Sequence, residues 1–265
     1  MSKTALITGG SSGLGFEMAK RLGSLGYSSV ILGRDKEKLE RAVDDIKTQG
    51  YEITGFQCDI TDEARLKKSF DEIKNKYGEI DLLILNAGVV TCKLLADFNN
   101  VTELEHDLRN NLWGTILSTY TFLPLVNKGG RILMISSAFG LMGPAAYSVY
   151  SASKAGIINF AESLRRELLC KQISVHVACP GDIDTPQLHE EHKTMPEWFK
   201  QGDPRSVMSA ELATTRILKK CFKNKFLIII SFEIWALVML NKLLPRRLRD
   251  YCFDKMFPLP SDSTH

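Results

Sequence analysis

Short apolar runs alternate with longer amphipathic ones along this chain, and that alternation leaves few folds open. Residues Ala5–Thr8, Ser29–Leu32, Ile53–Gln57, Leu82–Leu85, Ile132–Ser136, Ser174–Ala178 and Phe226–Ile230 read as strands. The segments Gly13–Leu25, Lys36–Thr48, Asp62–Lys76, Thr102–Leu125, Tyr150–Cys170 and Ser209–Phe222 read as helices. Strands that are apolar throughout and separated by helices belong to a parallel sheet covered on both faces. Right-handed crossovers then predict an α/β, Rossmann-type, doubly wound sheet.

The chain has 265 residues, of which 44% are hydrophobic and 25% charged, enough for one full core. A single domain is expected, with residues 1–230 binding a dinucleotide and doing the chemistry, and residues 231–265 adding an apolar helix and a tail. The net charge of +3 gives no sign of a nucleic-acid partner. The six cysteines show no C-x-x-C spacing, and no His/Cys cluster has zinc-ligand spacing. Free thiols, a reducing compartment and no metal are expected. The first strand starts at Lys3, so no cleavable signal is expected and the chain reads as cytoplasmic.

Directly after the first strand comes Thr8-Gly9-Gly10-Ser11-Ser12-Gly13-Leu14-Gly15, then a helix. Glycines in such a turn let the backbone approach a pyrophosphate, and the helix N-terminus offers unpaired N–H groups to it. The G-x-x-x-G-x-G spacing differs from the G-x-G-x-x-G fingerprint, and a plain glycine-rich turn would look alike. The same residues also satisfy G-x-S-x-G, the nucleophile elbow of α/β-hydrolases, with Ser11 as nucleophile. That elbow normally follows earlier strands and an oxyanion-hole loop, whereas only seven residues precede Thr8.

A second signal lies between Ser137 and Lys154. Tyr150 and Lys154 are four residues apart and share one helix face. A free phenol titrates near ~10. A nearby ammonium favours the phenolate, so Lys154 is expected to draw Tyr150 toward the working range. Ser137, at the end of the preceding strand, is placed to orient the oxygen that gains or loses the proton. A Tyr-x-x-x-Lys pair alone is common on solvated helices, but strand end, loop and helix start is where sites gather in open α/β sheets.

Together these motifs resemble the short-chain dehydrogenase/reductase family over residues 3–230. The resemblance rests on Thr8, Gly9, Gly13 and Gly15, Asp59, Asn86-Ala87-Gly88, Asn111, Ser137, Tyr150, Lys154, and Pro180-Gly181 with Thr185. It implies a nicotinamide cofactor, with Tyr150 as proton donor or acceptor and Ser137 holding the substrate oxygen. It also implies that Lys154 bonds the nicotinamide ribose, that Asn111 rather than Asn110 helps hold a proton-relay water, and that Ile183 and Thr185 touch the cofactor. Asn86-Ala87-Gly88 and Asn111 would equally serve as turn and helix terminators. A homodimer or homotetramer, packed through the Thr102–Leu125 and Tyr150–Cys170 helices, is what the family suggests.

The end of the second strand bears on cofactor choice. An acid there bonds a ribose 2′-hydroxyl, whereas an arginine accommodates a 2′-phosphate. The chain reads Ile31-Leu32-Gly33-Arg34-Asp35, which favours NADP(H), with Ser11, Ser12 and Lys38 as helpers. Asp35 would either pair with Arg34 or cap the next helix.

The substrate depends on the stretch after Pro180. Asp182-Ile-Asp184-Thr-Pro186 and Lys193-Thr-Met-Pro196 resemble the corresponding segment of 3-ketodihydrosphingosine reductases, which implies an apolar, lipid-like ketone or alcohol. Gly140-Leu-Met-Gly143 resembles steroid-acting members equally, and a 3-oxoacyl substrate or a non-catalytic NADP(H) sensor are the alternatives. Residues 226–244 are mostly apolar and lead into Pro245-Arg-Arg-Leu-Arg249. Glu233, Asn241 and Lys242 argue against a bilayer span. A last strand and then an apolar helix from Phe232 are expected, the helix closing the pocket, packing in an oligomer or lying peripherally on the cytoplasmic face of a membrane.

Overall fold

The computed structural model describes residues 3–196, 198–199 and 206–256. Seven parallel strands form the central sheet in the order β3-β2-β1-β4-β5-β6-β9. Its strands are β1 (Lys3–Thr8), β2 (Tyr27–Gly33), β3 (Ile53–Gln57), β4 (Ile80–Leu85), β5 (Val126–Ile135), β6 (Ser174–Ala178) and β9 (Leu227–Ile228). Two-residue strands β7 (Ile183–Asp184) and β8 (Met208–Ser209) pair separately beyond the sheet's C-terminal edge. The chain runs outward from β1 in one direction and then from β4 in the other. The strand order therefore reverses between β1 and β4, and in open sheets the ligand crevice lies at that reversal.

The strands are apolar because both faces are covered. Ala5, Leu6 and Ile7 of β1 have no exposed surface, and Leu6 and Ile7 belong to different cores on opposite faces. Burial of each such Leu or Ile side chain contributes about 2 kcal/mol. One core takes helices α3 (Glu63–Tyr77) and α6 (Ser148–Glu167); the other takes α1 (Gly13–Ser24), α2 (Lys36–Lys47) and α8 (Ala210–Phe222). Local chemistry sets the helix ends. Asp35 caps α2 by accepting from Lys38 N at 3.1 Å, and Asp62 caps α3 by accepting from Arg65 N at 3.1 Å.

The helix expected over Thr102–Leu125 is interrupted. It comprises α4 (Val101–Asp107), a π-helical turn at Leu108–Trp113, α5 (Gly114–Phe122) and a 3₁₀ turn at Leu123–Leu125. The π turn carries Asn111 inward, where it is fully buried. The last strand is shorter than the expected Phe226–Ile230. Phe226 and Ile228 carbonyls accept from β6, but those of Ile229 and Ile230 accept from the Lys220 and Arg216 side chains of α8. Residues after Pro180 include helix α7 (Pro186–Thr194), which begins at a Thr185 cap with proline in its first turn. The expected apolar helix is α9 (Phe232–Leu243), capped by Ser231, and α10 (Arg246–Met256) follows it. A third, smaller cluster of Cys92, Phe139, Tyr147, Tyr150, Met195 and Phe199 roofs the crevice.

Candidate functional site

The C-terminal ends of β1, β2, β4, β5 and β6 open onto one cavity of about 590 Å³. On the β1 side, Gly9 and Gly13 adopt φ of +65° and +54°, a conformation side chains resist. A Cβ on Gly9 would stand 2.8 Å from Ala87 Cα, so the turn lies directly against the β4 loop. Asn86 ties the two together, its side-chain amide donating to the carbonyls of Thr8 and Gly9, while the Thr8 hydroxyl accepts from Asn86 N and Ala87 N. Ser12 caps α1 without using its hydroxyl, which leaves that oxygen and the first-turn N–H groups facing the cavity.

At the β2 end, a Cβ on Gly33 would lie 3.1 Å from Ser11 Oγ, so the space an acid would occupy is taken. Asp35 is committed to capping α2, which settles its two expected roles. Arg34 makes no ion pair among the described residues; its guanidinium donates to Asn110 Oδ1 at 3.2 Å and lines the cavity with Lys38.

The side that holds the expected catalytic residues comes from β5 and α6. Ser136 and Ser137 directly follow β5, and the Ser136 hydroxyl donates to Lys154 O at 2.8 Å, which fixes α6 against the strand. Ser137 Oγ accepts from Phe139 N at 3.2 Å and shares a hydrogen bond with the Tyr150 phenol. Tyr150 and Lys154 stack one turn apart, with the ammonium 5.6 Å from the ring centroid. Lys154 is 4% exposed, and its Nζ donates to Ile135 O at 3.3 Å. Gly88 makes room, since a Cβ there would stand 3.2 Å from that Nζ.

The electrostatics differ from the expectation that Lys154 lowers the phenol. Burial pushes Tyr150 well above its usual value, the Ser137 hydrogen bond pulls it partly back, and the carboxylates of Glu191, Asp107 and Asp182 push it up further. Burial also lowers Lys154, to about 8, so near that pH its ammonium lends only part of a charge. Ser137 is the group that favours the phenolate.

Gly9, Ser11, Ser12, Gly13, Arg34, Lys38, Asn86, Ala87, Gly88, Ser137, Tyr150, Lys154, Ile183 and Thr185 all line this cavity. Three expected site residues do not. Gly15 lies behind the turn, where a Cβ would meet Gly9 O at 2.3 Å. Asp59 folds onto Thr61, accepting from its N–H and hydroxyl, and the wall there is Cys58 and Ile60. The Asn111 side chain accepts from Val89 N at 2.7 Å and donates to Val89 O and Ser153 Oγ, holding the β4 loop against α6. These residues shape the site from outside it.

Other lining residues lie outside the expected catalytic and cofactor-binding set. Phe139, Met142, Leu188, Ile234 and Leu237 form an apolar end, where Asp182, Glu191 and Glu233 are also found. Helix α9 thus covers part of the cavity, and Asn241 Nδ2 donates to Leu141 O at 3.2 Å to hold it there.

The residue set suits a dinucleotide: a glycine turn with free serine hydroxyls at a helix N-terminus, a basic side chain after β2, and a buried lysine facing the cavity. Short chain dehydrogenase is the family whose pattern the chain matches, over residues 3–196. The chain is 31% identical over 220 residues to 3-oxoacyl-[acyl-carrier-protein] reductase FabG of Aquifex aeolicus, covering 79% of this chain and 88% of that protein. It is 34% identical over 194 residues to 11-beta-hydroxysteroid dehydrogenase-like 2 of Arabidopsis thaliana, covering 71% and 63%. A short chain dehydrogenase from Burkholderia cenocepacia, crystallised in complex with NADP, superposes with a TM-score of 0.74 at 25% identity over 86% of this chain and 96% of that one. These likenesses and the cavity converge on one assignment: the chain belongs to the short chain dehydrogenase family and is an oxidoreductase working with a nicotinamide dinucleotide.

Proposed function

We propose that the protein is an NADPH-dependent reductase of a ketone in a lipid-like substrate, with a long-chain ketone of the 3-ketodihydrosphingosine type as the preferred class. The observation that carries this reading is that Ser137, Tyr150 and Lys154 face one cavity with a basic dinucleotide end and an apolar far end. A nicotinamide held by these residues would supply a hydride to the carbonyl carbon. Tyr150 donates its proton to the carbonyl oxygen, Ser137 orients that oxygen, and Lys154 holds the ribose side and steadies the phenol. The C=O π bond is replaced by one C–H and one O–H bond, the nicotinamide would be left oxidised, and the Tyr150 phenolate regains its proton from solvent, so atoms and charge balance. Arg34 and Lys38, with Ser11 and Ser12, favour a 2′-phosphate. Residues 1–230 carry cofactor and chemistry, and α9, within the 231–265 segment, covers the far end.

The relatives' names keep a 3-oxoacyl and a steroid substrate as the rival classes. The test is loss of NADPH absorbance with a long-chain ketone, a 3-oxoacyl thioester and a steroid ketone, repeated with NADH. Turnover of the long-chain ketone with NADPH supports the proposal; turnover of the thioester or steroid alone replaces its substrate class. Binding of NADPH with no ketone consumed would favour a sensor, and ester cleavage lost in Ser11→Ala would favour a hydrolase.

A second reading concerns the outer face of the C-terminal helices. Phe232, Trp235, Leu240 and Leu243 of α9 and Tyr251 of α10 are exposed, Phe232 by 74% and Leu243 by 79%. They adjoin Arg246, Arg247 and Arg249, a combination that suits peripheral contact with an anionic bilayer. Among the described residues no helix is long and apolar enough to cross a membrane. Exposed Leu108, Trp113 and Tyr120 lie where the family's dimers or tetramers would pack.

A further inference from the structure

Two asparagines stand side by side in the π turn and face different ways. Adjacent helical residues point about 100° apart, so Asn111 is buried between the β4 loop and α6 while Asn110, half-buried, lines the cavity beside the end of β2. Asn110 Nδ2 donates to the His106 carbonyl at 2.8 Å, and its Oδ1 accepts from Arg34 Nη1 at 3.2 Å. That arrangement has one sense. Turning the amide over would set its NH2 against a donor-only guanidinium and its oxygen against a carbonyl oxygen. The bond joins residues 76 apart in the sequence and ties the end of β2 to the π turn. Arg34 is also held at its backbone, where Gln57 Nε2 donates to its carbonyl at 3.0 Å.

An arginine gripped at one corner by a neutral acceptor keeps its whole charge. It also keeps a second edge: with Nη1 engaged, Nε and Nη2 remain to donate in parallel to two oxygens of a phosphate. A long exposed side chain otherwise loses rotamer freedom when it closes on a ligand, and that ordering weakens binding. We propose that Asn110 is a positioning residue for cofactor choice: by fixing the Arg34 guanidinium it presents the free edge to an adenosine 2′-phosphate, and so raises the preference for NADPH over NADH without itself touching the phosphate. This rests on the NADPH reading above and adds the residue that orients its phosphate contact. An aspartate at this position would pair with Arg34 and use up the charge that the phosphate needs. An amide orients the guanidinium and leaves that charge available.

The experiment measures binding by calorimetry, with no turnover, for adenosine 2′,5′-bisphosphate and 5′-AMP, which differ only in the 2′-phosphate, and then for NADPH and NADH. Wild type is compared with Asn110→Ala, Asn110→Asp, Arg34→Ala and the double variant Arg34→Ala with Asn110→Ala, each verified for fold by circular dichroism. Asn110→Ala should weaken the two ligands that carry the 2′-phosphate about 3- to 10-fold and the other two by less than about twofold. Asn110→Asp should cost the 2′-phosphate ligands about tenfold or more. Arg34→Ala should abolish the preference, and adding Asn110→Ala to it should change nothing further, because the two side chains act through one contact. Equal loss with and without the 2′-phosphate, no loss, tighter binding of the bisphosphate by Asn110→Ala, or a further loss in the double variant overturns the inference; the NADPH reading stands as long as Arg34→Ala abolishes the preference. If Asn110→Ala misfolds, an undiminished preference in Asn110→Asp overturns it. A wild type that does not prefer the bisphosphate, or a preference that survives Arg34→Ala, overturns both readings.

Discussion

The two ends of the cavity are built by different means. At the dinucleotide end, the wall is built on backbone turns: the Gly9–Gly13 turn, the Asn86-Ala87-Gly88 loop and the end of β2, joined by the Thr8 and Asn86 hydrogen bonds and by Gly10 N donating to Leu32 O. At the substrate end, the wall is mostly side chains from α7 and α9, elements added after the central strands and held through contacts such as Asn241 to Leu141 O. A backbone wall can serve one invariant ligand, because it leaves little to vary. A side-chain wall can be recut for each substrate without disturbing the sheet.

The comparison breaks most sharply at the residue on the boundary. Tyr150→Phe should lower kcat by about 10³-fold or more while leaving NADPH affinity within a few-fold, read by stopped assays and by fluorescence titration. A large loss of cofactor affinity would mean that the two ends are not separable. At the dinucleotide end, Arg34→Ala should raise the KM for NADPH by about 10- to 100-fold and leave that for NADH nearly unchanged. Equal effects on both cofactors would remove the 2′-phosphate assignment.

Lys154 gives a smaller, thermodynamic test. Its pKa is depressed by burial to about 8, so between that value and its unfolded value the unfolded chain binds more protons, and stability rises with pH. From pH 8 to 9, wild type should gain about 1 kcal/mol relative to Lys154→Met, measured by denaturant unfolding without cofactor. Above that window the buried thiols Cys179 and Cys221, raised by burial to about 12, act in the opposite direction. A flat difference from pH 8 to 9 would show Lys154 to be solvated. The smallest effect belongs to the outer face of α9: Trp235→Ser should weaken cosedimentation with anionic vesicles several-fold and leave turnover of a soluble ketone unchanged.

The same contrast governs what could be read without coordinates. Strand and helix alternation depends on local periodicity, so the sheet was legible from Lys3 to Ala178, and so were Ser137, Tyr150 and Lys154, whose spacing is set by one strand, one loop and one helix. The π turn at Leu108–Trp113 was not, because one extra residue in a helical turn hardly alters a pattern of period 3.6. Asp59 and Asn111 sit in recognisable motifs, yet their side chains brace neighbouring backbone instead of lining the cavity. Glu191 was invisible in the polar run His189-Glu190-Glu191-His192-Lys193 because its partner, Tyr147, is 44 residues away. The apolar residues of α9 are spread around the helix with no single apolar stripe, so periodicity could not say which face meets the cavity.

The central claim is that this cavity passes a hydride to a ketone carbon and a Tyr150 proton to its oxygen. The most direct test is to incubate the protein with NADPH carrying deuterium at the transferable position and a long-chain ketone, then locate the label by mass spectrometry. One deuterium on the carbinol carbon of a single alcohol enantiomer, absent with Tyr150→Phe, is the predicted result. Unlabelled ketone with NADPH bound and unconsumed, or full labelling by Tyr150→Phe, would contradict the account.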